Sequence, residues 1–218
     1  MNKRVIVVDY GSGNLLSVCR ALAHCGADVV ASSEPSELAA ADRLVLPGVG
    51  AFHDAMAALE QRALIDPIRG FIAAGRPFLG ICVGMQILFE ISEEFGEHRG
   101  LGILRGRVSA IPRKAVDGRP QKVPHIGWAS LQLPDAQREG AWNDTIFREI
   151  PIGAAMYFVH SFAASPAVPS VCLADAIYGG RRLTAAVHYG RVYGTQFHPE
   201  KSGPNGLTVL NNFISIQP

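Results

Sequence analysis

The sequence predicts an α/β fold, a single domain over residues 1–218 with a parallel sheet flanked by helices. Three observations carry that prediction. From Arg4 to Glu94, β-rich apolar runs alternate with segments of helical spacing, the pattern of successive βα units. The first run, RVIVVDY (4–10), is a continuous β-branched stretch ending in an acid, as in a strand buried on both faces. From Gly100 onward short β-rich segments joined by proline and glycine take over, with no linker separating a second core.

The elements follow in order. After the first strand, Gly11 to Gly13 form a turn, and Asn14 to Cys25 carry Leu15, Val18, Cys19 and Leu22 at helical spacing. Asp28 to Ala31 is a short strand. Glu34-Pro35-Ser36 opens a helix with proline in its first turn. Arg43 to Leu46 is a third strand, which Pro47 is expected to break. Asp54 to Leu64 and Ile65 to Ala74 read as two helices. Pro77 to Ile81 is a strand running into Cys82, and Val83 to Glu94 reads as one further helix. In the second half RVSAIP, MYFVHSF, SVCLADAIY, LTAAVHYG and RVYGTQF read as strands, and Val209 to Ile214 as a closing helix with Leu210 and Phe213 on one face. The polar stretch 112–122 is only a weak linker.

Composition excludes several classes. Net charge is +1 and charged residues make up 18%, which argues against a dedicated nucleic-acid binder. No stretch approaches 18 uncharged apolar residues, so no membrane span is expected. Cys19, Cys25, Cys82 and Cys172 are scattered, with no Cys-x-x-Cys. They read as reduced thiols of a cytoplasmic protein rather than a disulfide framework or a zinc site. Gly11-Ser12-Gly13-Asn14-Leu15-Leu16 fails the dinucleotide fingerprint at its last glycine, so no nicotinamide or flavin cofactor is expected.

The chemistry concentrates around Cys82. In GICVGMQ (80–86) a strand runs into the cysteine and a helix runs out, with Gly80 and Gly84 permitting the sharp turn. This is the cysteine form of a nucleophile elbow. A helix N-terminus favours thiolate, and the Val83 N–H points toward a developing oxyanion. Gln86, one helical turn on, shares the same mouth. A thiol nucleophile needs a base. His198 follows a β-run, and Glu200, two residues on, falls on the same side of an extended segment, where a carboxylate can orient the imidazole. LPGVGAF (46–52) also follows a parallel strand, so Val49 and Gly50 can bring a second backbone donor to the same sheet edge. His198-x-Glu200 has no further cluster to complete a metal site, and none is expected.

GICVGMQ with a distant HPE resembles the class I, triad-type glutamine amidotransferases. VDYGSGNLLSV, LPGVGAF, KVPHIGW, YFVHSF, QFHPEKSG and GLTVLNNF extend the likeness from residue 8 to 213. With them the chain resembles, more specifically, the glutaminase subunits of imidazole glycerol phosphate synthases of histidine biosynthesis. The resemblance implies a central mixed, mostly parallel sheet and hydrolysis of L-glutamine to glutamate and ammonia through a Cys82 thioester. His198 would act as base and then acid, with Glu200 as its orienter. Val83, Val49 and Gly50 would hold the oxyanion through backbone. Gly50, Gln86, His160, Ser161 and Phe162 would surround bound glutamine.

It further implies a heterodimer with a (β/α)₈-barrel cyclase that receives the ammonia through a channel. This partner makes imidazole glycerol phosphate and an aminoimidazole carboxamide ribotide. Asn14, His125, Ile126, Gly127, Trp128, Tyr157 and Lys201 match partner-facing positions. Ile126 stands where the family commonly has Met, Ala129 where it has Asn, and Phe162 where it has Tyr. Two alternatives stay open: a paralogue feeding ammonia to a surface-sugar synthase, and a stand-alone cysteine hydrolase.

Overall fold

The computed structural model describes residues 3–135, 138 and 140–217. Its regular elements are β1 (Arg4–Val8), α1 (Leu15–His24), β2 (Asp28–Ser32), α2 (Pro35–Ala40), β3 (Leu44–Gly48), α3 (Phe52–Gln61), α4 (Ile65–Ala73), β4 (Phe78–Cys82), α5 (Val83–Gln86), β5 (Phe89–Ser92), β6 (His98–Arg99), β7 (Leu104–Ala110), β8 (His125–Gln132), β9 (Ala155–His160), β10 (Phe162–Pro166), β11 (Cys172–Tyr178), β12 (Arg181–Tyr189), β13 (Val192–Thr195) and α6 (Gly203–Ser215). A nine-stranded sheet runs β2-β1-β3-β4-β13-β12-β11-β8-β9, and a four-stranded sheet runs β10-β7-β5-β6.

The apolar runs at β1, β3 and β4 are central because they have no polar face to offer water: β3 and β4 are buried throughout, and β1 at every residue but Arg4. The large sheet is mixed, parallel from β2 to β13 and antiparallel from β13 to β9. Its eight pairings divide evenly, so the parallel part is half the sheet rather than most of it. α1 buries Val18, Ala21 and Leu22, one stripe at helical spacing, and packs against α6, which buries Leu210 and Phe213 as expected.

Two expectations are corrected. Pro47 does not end the third strand, because β3 runs through it to Gly48 in register with β4. β3 pairs with β1 only at Leu44 and Val45, so on that side the ladder has already parted by Pro47 and its missing N–H is not needed. The segment Val83 to Glu94 is not one helix. α5 stops after one turn because the Ile87 and Leu88 carbonyls accept instead from Leu101, Ile103 and Leu104, and Phe89–Ser92 becomes a strand of the small sheet. The stretch 112–122 links no domains. It folds back on itself and hydrogen-bonds the β11–β12 turn through Val116 N–H and the Gly179 carbonyl.

Candidate active site

β3, β4 and β13 lie side by side and parallel, so their carboxyl ends deliver Gly48, Cys82 and the segment Gln196–His198 to one edge. Cys82 has φ +55°, a left-handed conformation that costs a β-carbon residue roughly 1–3 kcal/mol. The surrounding backbone enforces it. A Cβ on Gly84 would lie 1.9 Å from the Leu46 carbonyl oxygen, and one on Gly80 would lie 2.4 Å from the Gly84 carbonyl oxygen. Glycine at these places lets three segments of main chain pack almost in contact, and Cys82 is carried at their crossing. The helix behind it has four residues, so its dipole offers the thiolate less than a long helix would.

His198 leaves β13 just before a 3₁₀ turn at Pro199–Lys201. Its backbone N–H donates to the Tyr157 carbonyl at 3.0 Å, and the Ser202 hydroxyl donates to its carbonyl at 2.6 Å. The imidazole Nδ1 meets Glu200 Oε1 at 2.9 Å, with the Glu200 side chain wholly shielded from solvent. That leaves Nε2 for Cys82. Burial works against a charged imidazole here, but hydrogen bonds to Cys82 and Glu200, with their charges, overcome it and raise the His198 pKa to about 9. The imidazole is therefore a stronger base than a free one, with the sulfur as its neighbour.

A cleft of about 260 Å³ opens over the cysteine. Its lining brings together Cys82, His198, Val83, Val49, Gly50, Gln86, His160, Ser161 and Phe162. Lys201 stands at the same cleft. Gly50 has φ +92°, and the Val49 carbonyl accepts the Ser12 hydroxyl at 2.9 Å. Gln86 Nε2 donates to the Phe162 carbonyl at 3.1 Å and to Gln196 Oε1 at 3.0 Å, so its amide has only oxygen to offer a ligand.

Three residues of this site escaped the sequence reading. Pro124 lines the cleft from the loop before β8. Glu94 is the one acid among the cleft-lining residues, buried, and its Oε2 accepts the Phe52 N–H at 2.7 Å, capping α3 directly after the PGVG loop. In ISEEFGE nothing singles it out from its acidic neighbours. Gln196 is fully buried, and its Nε2 donates to Cys82 Sγ at 3.6 Å. A signal for it was present, because position i−2 from His198 in an extended segment shares its side.

Of the partner-facing set, Ile126 and Trp128 expose about 60% and 58% of their surface, and the Trp128 ring meets Tyr157 edge-on at 5.8 Å. Asn14 begins α1 without spending its side chain on a cap, and Gly127 takes φ +143°. His125 differs: it is buried, stacked on Tyr178 at 4.0 Å and on Phe158 at 5.2 Å, so it presents no ring to an outer surface.

Residues 6–216 match the model of the glutamine amidotransferase class-I family. An imidazole glycerol phosphate synthase subunit HisH 1 of Legionella pneumophila (strain Lens) is 48% identical, covering 97% of this chain and 99% of the relative. The HisH subunit of Geobacillus thermodenitrificans is 44% identical, covering 96% and 94%. Among solved structures, PurLQS from Thermotoga maritima superposes with a TM-score of 0.71 at 20% identity, covering 98% of each chain, a likeness of fold. With sequence, fold and family model in agreement along nearly its whole length, the chain belongs to the class I glutamine amidotransferases, in the family of imidazole glycerol phosphate synthase HisH subunits.

Proposed function

We propose that the chain hydrolyses L-glutamine as the glutaminase subunit of an imidazole glycerol phosphate synthase, with Cys82, His198 and Glu200 as its catalytic residues. The observation that carries this is the buried Glu200–His198–Cys82 line, with the His198 pKa raised between its two neighbours. A raised pKa makes the His198 imidazole a strong acceptor for the proton on the sulfur. His198 therefore acts as base toward Cys82 and then as acid toward the departing ammonia.

The Cys82 sulfur attacks the side-chain carbonyl carbon of glutamine. The carbonyl π pair moves to oxygen, where the Val83 N–H and the Val49–Gly50 backbone receive it. As the carbonyl re-forms, the C–N bond breaks, and its electron pair takes the His198 proton to release ammonia. The thioester remains. His198, now neutral, takes a proton from water, hydroxide attacks the thioester, and glutamate departs as the thiolate is restored. The α-ammonium of the substrate pairs with Glu94, the one cleft carboxylate. His160, Ser161, Phe162 and the Gln86 oxygen surround the rest.

The ammonia passes to a barrel-shaped cyclase partner docked on the Asn14, Ile126, Gly127, Trp128, Tyr157 and Lys201 side. Solvent-exposed tryptophan and isoleucine beside tyrosine suit a protein interface. The pair works in the cytoplasm, where the four cysteine thiols would stay reduced; no helix among the described residues is long and apolar enough to cross a membrane. The test is the Cys82→Ala variant assembled with the cyclase. Glutamine-dependent turnover should vanish while ammonium-dependent synthesis persists. Full glutamine-dependent turnover in that variant would remove Cys82 from the mechanism. Low glutaminase turnover of the isolated subunit, rising when the cyclase is added, is the companion result; equal turnover in both states would refute the dependence on the partner.

A further inference from the structure

The active-site sulfur is reached by a buried hydrogen-bond chain whose directions can be worked out in both senses from the Phe162 carbonyl at its middle. The Phe162 carbonyl can only accept, so the two nitrogens on it must carry hydrogen: Gln86 Nε2 at 3.1 Å and His160 Nδ1 at 2.8 Å. His160 is neutral, its pKa pushed down to about 4 by burial, with the Phe162 hydrogen bond opposing and His125 and His198 adding. A neutral imidazole protonated on Nδ1 has a bare Nε2. The His125 Nδ1 lying 3.2 Å from it must therefore be the donor. His125 and His160 are direct cross-strand partners on β8 and β9. On the other side, Gln86 Nε2 gives its second hydrogen to Gln196 Oε1 at 3.0 Å. That fixes the Gln196 amide, whose Nε2 is left to face Cys82 Sγ at 3.6 Å.

We propose that Gln196 is a positioning residue for the nucleophile, its amide N–H held on the Cys82 sulfur by this chain, which begins at His125 on β8. The inference rests on the reading of Cys82 as nucleophile. Gln196 suits the role because the alternatives are spent. The helix behind Cys82 is one turn long, and the charge next to the sulfur, His198, must leave its proton during the cycle. An amide donor stays in place through every step. Gln196 is wholly buried and its backbone N–H is tied to the Ala185 carbonyl at 2.9 Å, so it cannot swing away. The other titratable groups around Cys82 are His198, which is coupled through charge to His160 of the chain, Glu200 and Tyr10.

The experiment compares Gln196→Leu, Gln196→Glu and His125→Phe with wild type. The first two remove the donor, the second adding a carboxylate in the same shape. The third cuts the chain at its far end while keeping a ring against Phe158 and Tyr178. The readouts are the rate of Cys82 alkylation by iodoacetamide from pH 6 to 10, and kcat and KM for glutamine with the cyclase partner. Gln196→Leu should slow alkylation at pH 7 about tenfold, the loss of one hydrogen bond to a charged acceptor. The rate should converge on wild type at pH 10, where thiolate needs no help.

Gln196→Glu should be slower still at pH 7, and His125→Phe should move the same way by about threefold. kcat should fall in step, with KM within about twofold. Should Gln196→Leu fail to fold, the other two carry the test. A wild-type alkylation profile and kcat in the folded Gln196→Glu or His125→Phe protein overturns the proposal. Glutamine turnover that survives in Cys82→Ser instead overturns the nucleophile reading beneath it.

Discussion

Glu94→Gln isolates the charge that the site offers to the substrate's ammonium group. The carboxylate does two jobs: it lines the cleft, and it caps α3 by accepting the Phe52 N–H at 2.7 Å. The amide of glutamine keeps the acceptor oxygen and so keeps the cap, but gives up the charge. At about 4 Å and an effective dielectric of about 20, opposite unit charges attract by roughly 4 kcal/mol. Stripping water from both ions takes back part of that, and charged hydrogen bonds measure about 1.5–3 kcal/mol. With roughly 2 kcal/mol lost, KM for glutamine rises about 30-fold. kcat should change little, because Glu94 does not touch the scissile amide and its contact is equal in ground and transition states.

The assay is steady-state glutaminase kinetics in the assembled complex, run with glutamine and with the analogue lacking the α-amino group. Wild type should discriminate strongly against the analogue, and Glu94→Gln should not, which closes a double-mutant cycle on the one contact. Glu94→Ala is the contrasting variant, since it also loses the cap and about 1 kcal/mol of stability. A Glu94→Gln enzyme with wild-type KM that still rejects the analogue would refute the pairing.

Gly84→Ala places a methyl carbon 1.9 Å from the Leu46 carbonyl, a main-chain atom that cannot step aside. It should cost about 3 kcal/mol or more, lowering Tm on the order of 10 °C, and unchanged melting by calorimetry would contradict the packing described. Glu200→Gln removes the buried charge that helps raise the His198 pKa, so kcat should drop about ten-thousandfold, as when the orienting acid of a Ser-His-Asp triad is neutralised; activity within tenfold of wild type would free Glu200 of that role.

Acid stability follows His160, whose folded pKa of about 4, set chiefly by burial, lies below the ordinary 6.5. The unfolded chain takes up this proton first, so the stabilisation is complete above pH 6.5 and is lost as pH falls toward 4, by at most about 3 kcal/mol. Urea unfolding of wild type and His160→Asn at pH 7 and 4.5 measures it, and equal pH slopes for the two proteins would count against it.

The first half of the fold was legible because buried parallel strands leave an unambiguous mark: RVIVV and FLGIC have no polar side to confuse the period. The misreadings share a physical cause, which is that local signals were overruled by partners far along the chain. Pro47 looks like a strand breaker until β1 is seen to have parted from β3 at that point. The apolar spacing of Val83 to Glu94 suits a helix, yet hydrogen bonds from residues 101–104 claim the carbonyls that the second turn needed. In the site, Cys82, His198 and Glu200 were readable because the elbow and the i, i+2 spacing are local geometry. Glu94 was not, because its place in the cleft depends on a strand that the sequence reading had as helix. The inward turn of His125 was also hidden: strand alternation says that it opposes Ile126, but not which of the two faces the core.

The site is unequally constrained, and the inequality bears on how a partner could control it. At the nucleophile, Gly48, Gly80 and Gly84 pack main chain against main chain. His198 is held at both its N–H and its carbonyl, and the close main-chain packing leaves the Cys82 peptide little room to shift. At the PGVG loop the situation reverses. Val49 is 40% exposed, a Cβ on Gly50 would meet nothing within 4 Å, and the Ser12 hydroxyl ties the Val49 carbonyl. Reorienting a peptide there costs about one hydrogen bond, on the order of 1 kcal/mol, which protein docking can supply many times over. A partner that regulates this site therefore meets least resistance at the PGVG loop, where the proposed oxyanion donor lies, and most at the nucleophile elbow.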